Sequence, residues 1–519
     1  MQRRPLVPLL AVSVMAALAP GLAATPATAS PSASTAPSAA ASSSSVPTEA
    51  GALRPYTRQK PVWGRCGGNT PAALQCATLK VPLDYRAPGG KKIDIAISRL
   101  RTSAPGKRHG VLLSNPGGPG GPGLEMPLEL DEALPRKVKE RYDLIGFDPR
   151  GVGRSTPVQC GLDAEDNTVL RPLRTFDKNA LWAKSVADKC RSKAGDTLPY
   201  ITTRNTARDM DVLRAVLGER KISYYGVSYG TALGAVYTQM FPRRADRFVL
   251  DSAVDPKRAW RGMFQVWAPE AERAFQRWTK WTAAHDATYG LGDTPGAVSK
   301  SFWDVVARAD RDPIEFDGVP LDGAGVRALV RRDFYTVRDA AERVVKLKEA
   351  AGGRTANGPD DPEPPAEDDI SAAVTVMCAD GPWPRDPETY HRDLIRDAVR
   401  YPLYGDFASG IMPCAFWDKP VEPATAVNNE VPALIVQNEW DSQTPLVTAR
   451  AMHRQLKGSR LVTVDEGEGH GVYSTNPCAD SAADSYLATG RLPAADVTCR
   501  ATGGERRAAS SLPAPGPLG

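Results

Sequence analysis

The chain reads as α/β: a doubly wound, mostly parallel sheet with a large helical cap inserted before a late strand. Three observations predict this. Short apolar runs such as GVLLSN and YDLIGF alternate with stretches of helical spacing. Those runs lack the in-out alternation of a half-exposed strand, as expected when helices cover both sheet faces. The pattern breaks after Pro256 and resumes at Val431, so a helical segment interrupts the sheet.

In chain order, KIDIAISRL (Lys92 to Leu100) alternates at period two and reads as a strand. GVLLSNPGG (Gly110 to Gly118) and YDLIGFDPRG (Tyr142 to Gly151) are apolar runs closed by glycines. ARDMDVLRAVLG (Ala207 to Gly218) has helical spacing and a glycine stop. KISYYGVS and RFVLDSAVDP (Arg247 to Pro256) are further buried strands, and so are VPALIVQNEWD (Val431 to Asp441) and RLVTVDEGEGH (Arg460 to His470). The expected organisation is therefore a core over 61–256, a cap over 257–429 and a second core segment over 430–501. The cap contains an acidic Pro/Gly-rich loop, Gly352 to Asp369, expected to be mobile.

The ends read differently. Arg3 and Arg4 precede an apolar run from Leu6 to about Leu18, followed by small residues and an Ala-x-Ala at Ala27 to Ala29. That is the layout of a signal peptide over 1–29. The run is shorter than the ~20 residues a bilayer span needs, so no stable membrane anchor is expected. Residues 30–60 follow as a flexible leader or pro-segment, almost entirely Ala, Ser, Thr and Pro from Ser30 to about Val46, and 502–519 as a flexible tail. Export brings the chain into an oxidising compartment, and the eight cysteines suit one. Their number is even and none forms a C-x-x-C pair, which argues against zinc clusters. The simplest arrangement pairs neighbours: Cys66 with Cys76, Cys160 with Cys190, Cys378 with Cys414, Cys478 with Cys499. A formal net charge of +5, without basic runs, points away from nucleic acid and from anionic membranes.

The chemistry centres on YYGVSYGTALG (Tyr224 to Gly234), which contains G-x-S-x-G between a strand and a small-residue helix. In that setting Ser228 sits on a sharp turn that lifts its hydroxyl clear of the sheet. A serine nucleophile needs a base. Of five histidines, His109 lies at the wrong end of the sheet, His285 and His391 fall in the cap, and His453 sits on a surface-type helix. His470, in the turn-rich EGEGHG after the last strand, remains. The orienting carboxylate is Asp441, at the end of ALIVQNEWD; Asp251 and Asp255 are its rivals. NPGGPGGPG (Asn115 to Gly123) supplies an oxyanion loop. Its prolines carry no N–H, so the donor must be a glycine; Gly118 is the one expected, paired with the Tyr229 amide. The loop lacks the endings of a phosphate-binding motif. No metal and no cofactor are called for.

Together, NPGGPGGPG, GFDPRGVGRS, YYGVSYGT, NEWDSQTP and GHG resemble the secreted tripeptidyl aminopeptidases of actinobacteria, within the prolyl-aminopeptidase-like α/β-hydrolases. Pro116 departs from the His that opens the corresponding loop of prolyl aminopeptidases, which favours the tripeptidyl branch. The resemblance implies a secreted serine exopeptidase that releases tripeptides from the free N-terminus of peptides and proteins. The alternatives are an esterase or lipase of the same fold, or release of single residues. An exopeptidase must read an α-ammonium group, and Asp380 in MCADGPW is the candidate carboxylate. Arg150 in the Asp148-Pro-Arg-Gly loop is expected to shape the site through ion pairing.

Overall fold

The computed structural model describes residues 49–163, 166–167, 176–334, 336–353 and 370–502. The expected signal peptide, the expected leader up to 48, the loop segment 354–369 and the tail from 503 lie outside the described residues.

The strands are β1 (Gly64–Arg65), β2 (Gln75–Pro82), β3 (Lys92–Leu100), β4 (Gly110–Asn115), β5 (Tyr142–Phe147), β6 (Ile222–Val227), β7 (Ala245–Asp251), β8 (Ile314–Phe316), β9 (Val319–Leu321), β10 (Ala433–Asn438), β11 (Arg460–Asp465) and β12 (Val497–Arg500). Ten form one sheet, in the order β1-β2-β3-β5-β4-β6-β7-β10-β11-β12. β1, β2 and β3 pair antiparallel, and β3 meets β5 antiparallel. Along this sheet from β5 to the β12 edge every pairing is parallel. The jump from β7 to β10 accommodates the cap.

Burial explains the apolar runs. β4, β6 and β10 are buried at every position. Successive side chains alternate between faces. Leu112, Leu144, Tyr225, Val249 and Val436 join one apolar cluster, packed with Leu130 and Tyr486 of the flanking helices. Their neighbours Leu113, Ile145, Tyr224, Phe248 and Ile435 join the other, which runs on into Trp267, Phe275 and Trp278 of the cap. Both faces are thus covered, and the strands read as continuous hydrophobic runs.

Two regions differ from expectation. Residues 49–60, assigned to the leader, are folded: Glu49–Ala52 and Arg54–Thr57 are short helices and Tyr56 is buried. Gln59 exchanges two hydrogen bonds with the backbone of Lys80. The small-residue bias ends before these anchoring side chains. The cap, expected to be helical, also carries the β8-β9 hairpin. Its turn is Asp317-Gly318, with φ 51° and 76°. Asp-Gly is a strong signal for such a turn, but the flanking strands are only three residues each.

The four disulfides join the neighbouring cysteines, and no described cysteine is free. No helix among the described residues is long and apolar enough to cross a membrane.

Candidate active site

The site residues gather at the carboxyl ends of β4, β6, β7, β10 and β11, the edge where open α/β sheets place ligands. Ser228 follows β6 and caps the helix Tyr229–Met240 with φ 56° and ψ −122°. That conformation is strained for a non-glycine residue, at roughly 1–3 kcal/mol, and persists only where its surroundings impose it. They do so here. The Ser228 amide donates to the Asp251 carbonyl at 2.9 Å. A Cβ on Gly226 would lie 2.5 Å from the Tyr224 ring and 2.6 Å from the Gly230 carbonyl; one on Gly230 would lie 2.7 Å from the Asn115 carbonyl. Strand and helix approach too closely at this turn for any larger residue.

The Pro-Gly loop after β4 reaches the same turn. Gly117 is the residue that touches it. A Cβ there would lie 3.0 Å from the Ser228 Cβ and 3.3 Å from the Tyr229 amide nitrogen. Its own N–H donates to Asn115 Oδ1 at 3.1 Å. Gly118, the donor expected from sequence, stands one residue further on, and a Cβ there would meet only the backbone of Gly120 and Gly121. The far end of the loop is pinned by Asp148, which accepts from the amides of Gly123 and Leu124 at 2.9 and 3.2 Å and from the amide of Arg154 at 2.8 Å. Arg150 is fully buried. It forms a two-pronged ion pair with Asp209 at 2.7 and 2.6 Å and donates to the carbonyls of Leu83 and Tyr200. It therefore acts as a brace under the site.

Asp441 and His470 meet. His470 Nδ1 lies 2.8 Å from Asp441 Oδ2, and the side chains are 7% and 0% exposed. Asp441 Oδ1 accepts from the amides of Gln443 and Thr444 at 2.8 and 3.0 Å, and Oδ2 from the Thr444 hydroxyl at 2.8 Å. Burial alone would raise the proton affinity of this carboxyl. The His470 charge, its hydrogen bond and the Thr444 donors outweigh burial and hold Asp441 below its ordinary value. His470 is the mirror case. Burial pulls the imidazole down, while Asp441 beside it and Asp251 further off carry it above its ordinary value; Arg331 opposes them. The cap grips the acid loop: Trp267 Nε1 donates to the Gln443 carbonyl at 2.6 Å, and Arg331 donates to the Gln443 side chain.

Asp380 ends the cap helix Ser371–Asp380. It accepts from the Thr203 amide and hydroxyl, each at 2.6 Å, and from Trp260 Nε1 at 3.1 Å. Burial raises it to about 6 against these donors. Thr203 also bonds the Tyr229 hydroxyl at 2.9 Å, so Asp380 is two contacts from the residue after Ser228. It lines a cleft with Trp260, Thr203 and Glu422. The Cys378–Cys414 disulfide ties down its helix.

Sequence reasoning missed Gly117 as the residue that packs against the serine turn, and it missed Asp251, Ser252 and Asn438 as supports for the His470 loop. For Gly117 the signal was present: it is the first residue after the strand that is free of both a side chain and a ring. For the others the contacts bridge distant parts of the chain, which no local pattern reveals.

A serine on a strained strand-to-helix turn, a buried histidine–aspartate pair and a glycine loop on one sheet edge are the parts of a serine hydrolase. Comparison with known proteins narrows this class. Residues 110–303 match the family described as alpha/beta hydrolase fold, and residues 401–499 the family described as TAP-like protein. The tripeptidyl aminopeptidase of Streptomyces lividans is 37% identical over 84% of this chain and 86% of its own length. The serine protease Hip1 of Mycobacterium tuberculosis is 30% identical over 86% of this chain and 92% of its own. Carboxylesterase B of the same organism is 30% identical, over 82% of this chain and 86% of its own. The chain belongs to the tripeptidyl aminopeptidase family of α/β-hydrolases and is a serine peptidase.

Proposed function

We propose that this protein is a secreted exopeptidase that releases tripeptides from the free N-terminus of peptides, with Ser228 as nucleophile, His470 as base and Asp441 as orienting acid. The observation that carries the site assignment is the buried Asp441–His470 pair, on the same sheet edge as the strained Ser228 turn. The tripeptide product follows the Streptomyces lividans relative. Four disulfides and the signal-peptide pattern support export.

The reaction begins when Ser228 Oγ attacks the scissile carbonyl carbon while His470 Nε2 takes its proton. The new oxyanion accepts from the amides of Tyr229 and Gly118. Asp441 holds the imidazole through Nδ1–H and stabilises its positive form. His470 then returns the proton to the leaving amine, which departs and leaves an acyl-enzyme on Ser228. Water, deprotonated by His470, frees the peptide. Asp380, on the wall of the cap cleft, is the carboxylate assigned to the substrate ammonium; its internal donors leave lone-pair capacity for one more.

The nucleophile is tested by a fluorophosphonate probe with tryptic mapping: the label is expected on Ser228 and lost in Ser228→Ala. A label that persists in the variant contradicts the assignment. The carboxylesterase relative motivates one rival reading, an esterase. Paired tripeptide anilides with a free and an acetylated N-terminus separate the two. Only the free form is expected to react; equal hydrolysis of both favours the esterase.

A further inference from the structure

We propose that Asp251 is a positioning residue for His470, a second buried carboxylate that holds the base loop in register with the nucleophile turn. The proposal rests on the reading of His470 as the base.

Asp251 is the last residue of β7 and is fully buried. β7 lies between the nucleophile strand β6 and the acid-bearing strand β10, with Asp251 level with Val227 on one side and Val436 on the other. Its carbonyl takes the Ser228 amide. Its carboxylate turns the other way, to the residues that follow His470. The Val472 amide lies 2.9 and 3.1 Å from its two oxygens, and the Tyr473 amide 2.9 Å from Oδ2. The Tyr225 and Ser252 hydroxyls complete its shell at 3.0 and 3.1 Å. The Ser252 hydroxyl in turn accepts the Gly471 amide at 2.9 Å, from a backbone at φ 59°. Three consecutive amides, Gly471 to Tyr473, therefore end on two adjacent side chains of β7 and its turn.

Asn438 grips the loop from the other side. Its Nδ2 donates to the carbonyls of Glu468, Gly469 and Gly471 at 2.9, 3.0 and 3.2 Å. His470 is thus bracketed by a donor that takes carbonyls and a carboxylate that takes amides. The glycines around it, Gly469 and Gly471, have φ near 90° and lend the loop no stiffness of their own. External anchoring is what fixes the imidazole.

Burial raises the proton affinity of this carboxyl, and the Tyr473, Val472, Tyr225 and Ser252 donors, each of which needs it as an acceptor, oppose that rise. As the anion it also faces the imidazole with its charge. The charged and titratable groups around His470 are Asp441 after β10, Asp251 after β7 and Arg331 from the cap helix Gly323–Asp333. Around Asp251 stand Tyr225, Tyr473 and Asp480. Of the three groups facing His470, the two carboxylates favour the imidazolium and Arg331 disfavours it.

The test is the pH dependence of kcat and KM on a free-amine tripeptide anilide for Asp251→Asn, which keeps the shape and removes the charge. The expected result is a kcat loss of roughly tenfold to a hundredfold with KM nearly unchanged, as for a base displaced by a fraction of an ångström. The acid limb of kcat/KM is also expected to move to lower pH, because a negative charge that favoured protonated His470 is gone. An unchanged kcat, or a loss with the limb unmoved, overturns the proposal. Ser252→Ala keeps the Asp251 carboxylate and its amide contacts, frees the Gly471 amide and removes one hydroxyl donor from Asp251, so it serves should Asp251→Asn not fold. It is expected to lower kcat by roughly tenfold at constant KM, and an unchanged kcat counts against the anchoring. His470→Ala checks the reading underneath: retained activity there removes the base assignment itself, whatever the Asp251 result.

Discussion

At the scale of single residues, the proposed chemistry rests on a pair of groups that shift each other. Asp441 is held below and His470 above their ordinary values, each chiefly against the effect of its own burial. Only the neutral imidazole accepts the serine proton. Activity must therefore rise with pH as His470 loses its proton, and the midpoint of the acid limb of kcat/KM is expected above the ~6.5 of an unperturbed histidine. A midpoint below that value, measured on a substrate without its own ionisation in the range, contradicts the pairing. Asp441→Asn keeps an oxygen for the Gln443 and Thr444 amides but offers the imidazole the wrong tautomer, and kcat is expected to fall on the order of 10⁴-fold. The gathering of Ser228, Asp441 and His470 at one sheet edge was legible because each follows a recognisable strand and because five histidines allow elimination. Asp251 was legible only as a rival acid. Its contacts with Val472 and Tyr473 span more than 220 residues, and nothing local in RFVLDSAVDP records them.

At the scale of elements, the decisive unit is β6, its turn and the helix Tyr229–Met240. Three glycines let it exist: Gly226 and Gly230 where strand and helix cross, and Gly117 where the Pro-Gly loop lies against the serine. Gly117 has φ 106° as well, so a side chain there meets both a clash and an unfavourable backbone. Gly117→Ala is expected to destabilise by roughly 2–4 kcal/mol, through overpacking and strain together. It should also remove most fluorophosphonate labelling, because the loop is displaced from the serine. Thermal unfolding and a labelling rate measured side by side check both; a variant as stable and as reactive as the wild type would falsify the account of the turn. The strands of the parallel region were readable because double burial makes them apolar throughout. β1 and β12 were not, since two- and four-residue edge strands with exposed positions carry too little pattern. The β8-β9 hairpin did announce its turn, but its strands are too short to show a period.

At the scale of the molecule, distant segments are braced onto the sheet by buried polar links. The Arg150–Asp209 pair is the deepest, with side chains 0% and 1% exposed, and the Tyr85 hydroxyl adds to it at 2.7 Å. It joins the loop after β5 to the helix Thr203–Val216 and to the backbone after β2. The expectation that Arg150 works through an ion pair came from its place in a turn beside the site. Its partner, 59 residues on, came from the fold alone. Asp209→Ala leaves a buried guanidinium without its counter-charge, and a loss of about 3–5 kcal/mol is expected in denaturant unfolding. The proposed activity belongs to the molecule as a whole: a serine peptidase that acts only at a free N-terminus and releases three residues at a time. Mass spectrometry of the products from one unblocked peptide and its N-acetylated twin measures this directly. The expected products are successive tripeptides from the free peptide, and none from its acetylated twin or from Ser228→Ala. Internal cleavage of the acetylated peptide, release of single residues, or undiminished cleavage by the variant would contradict the proposed activity.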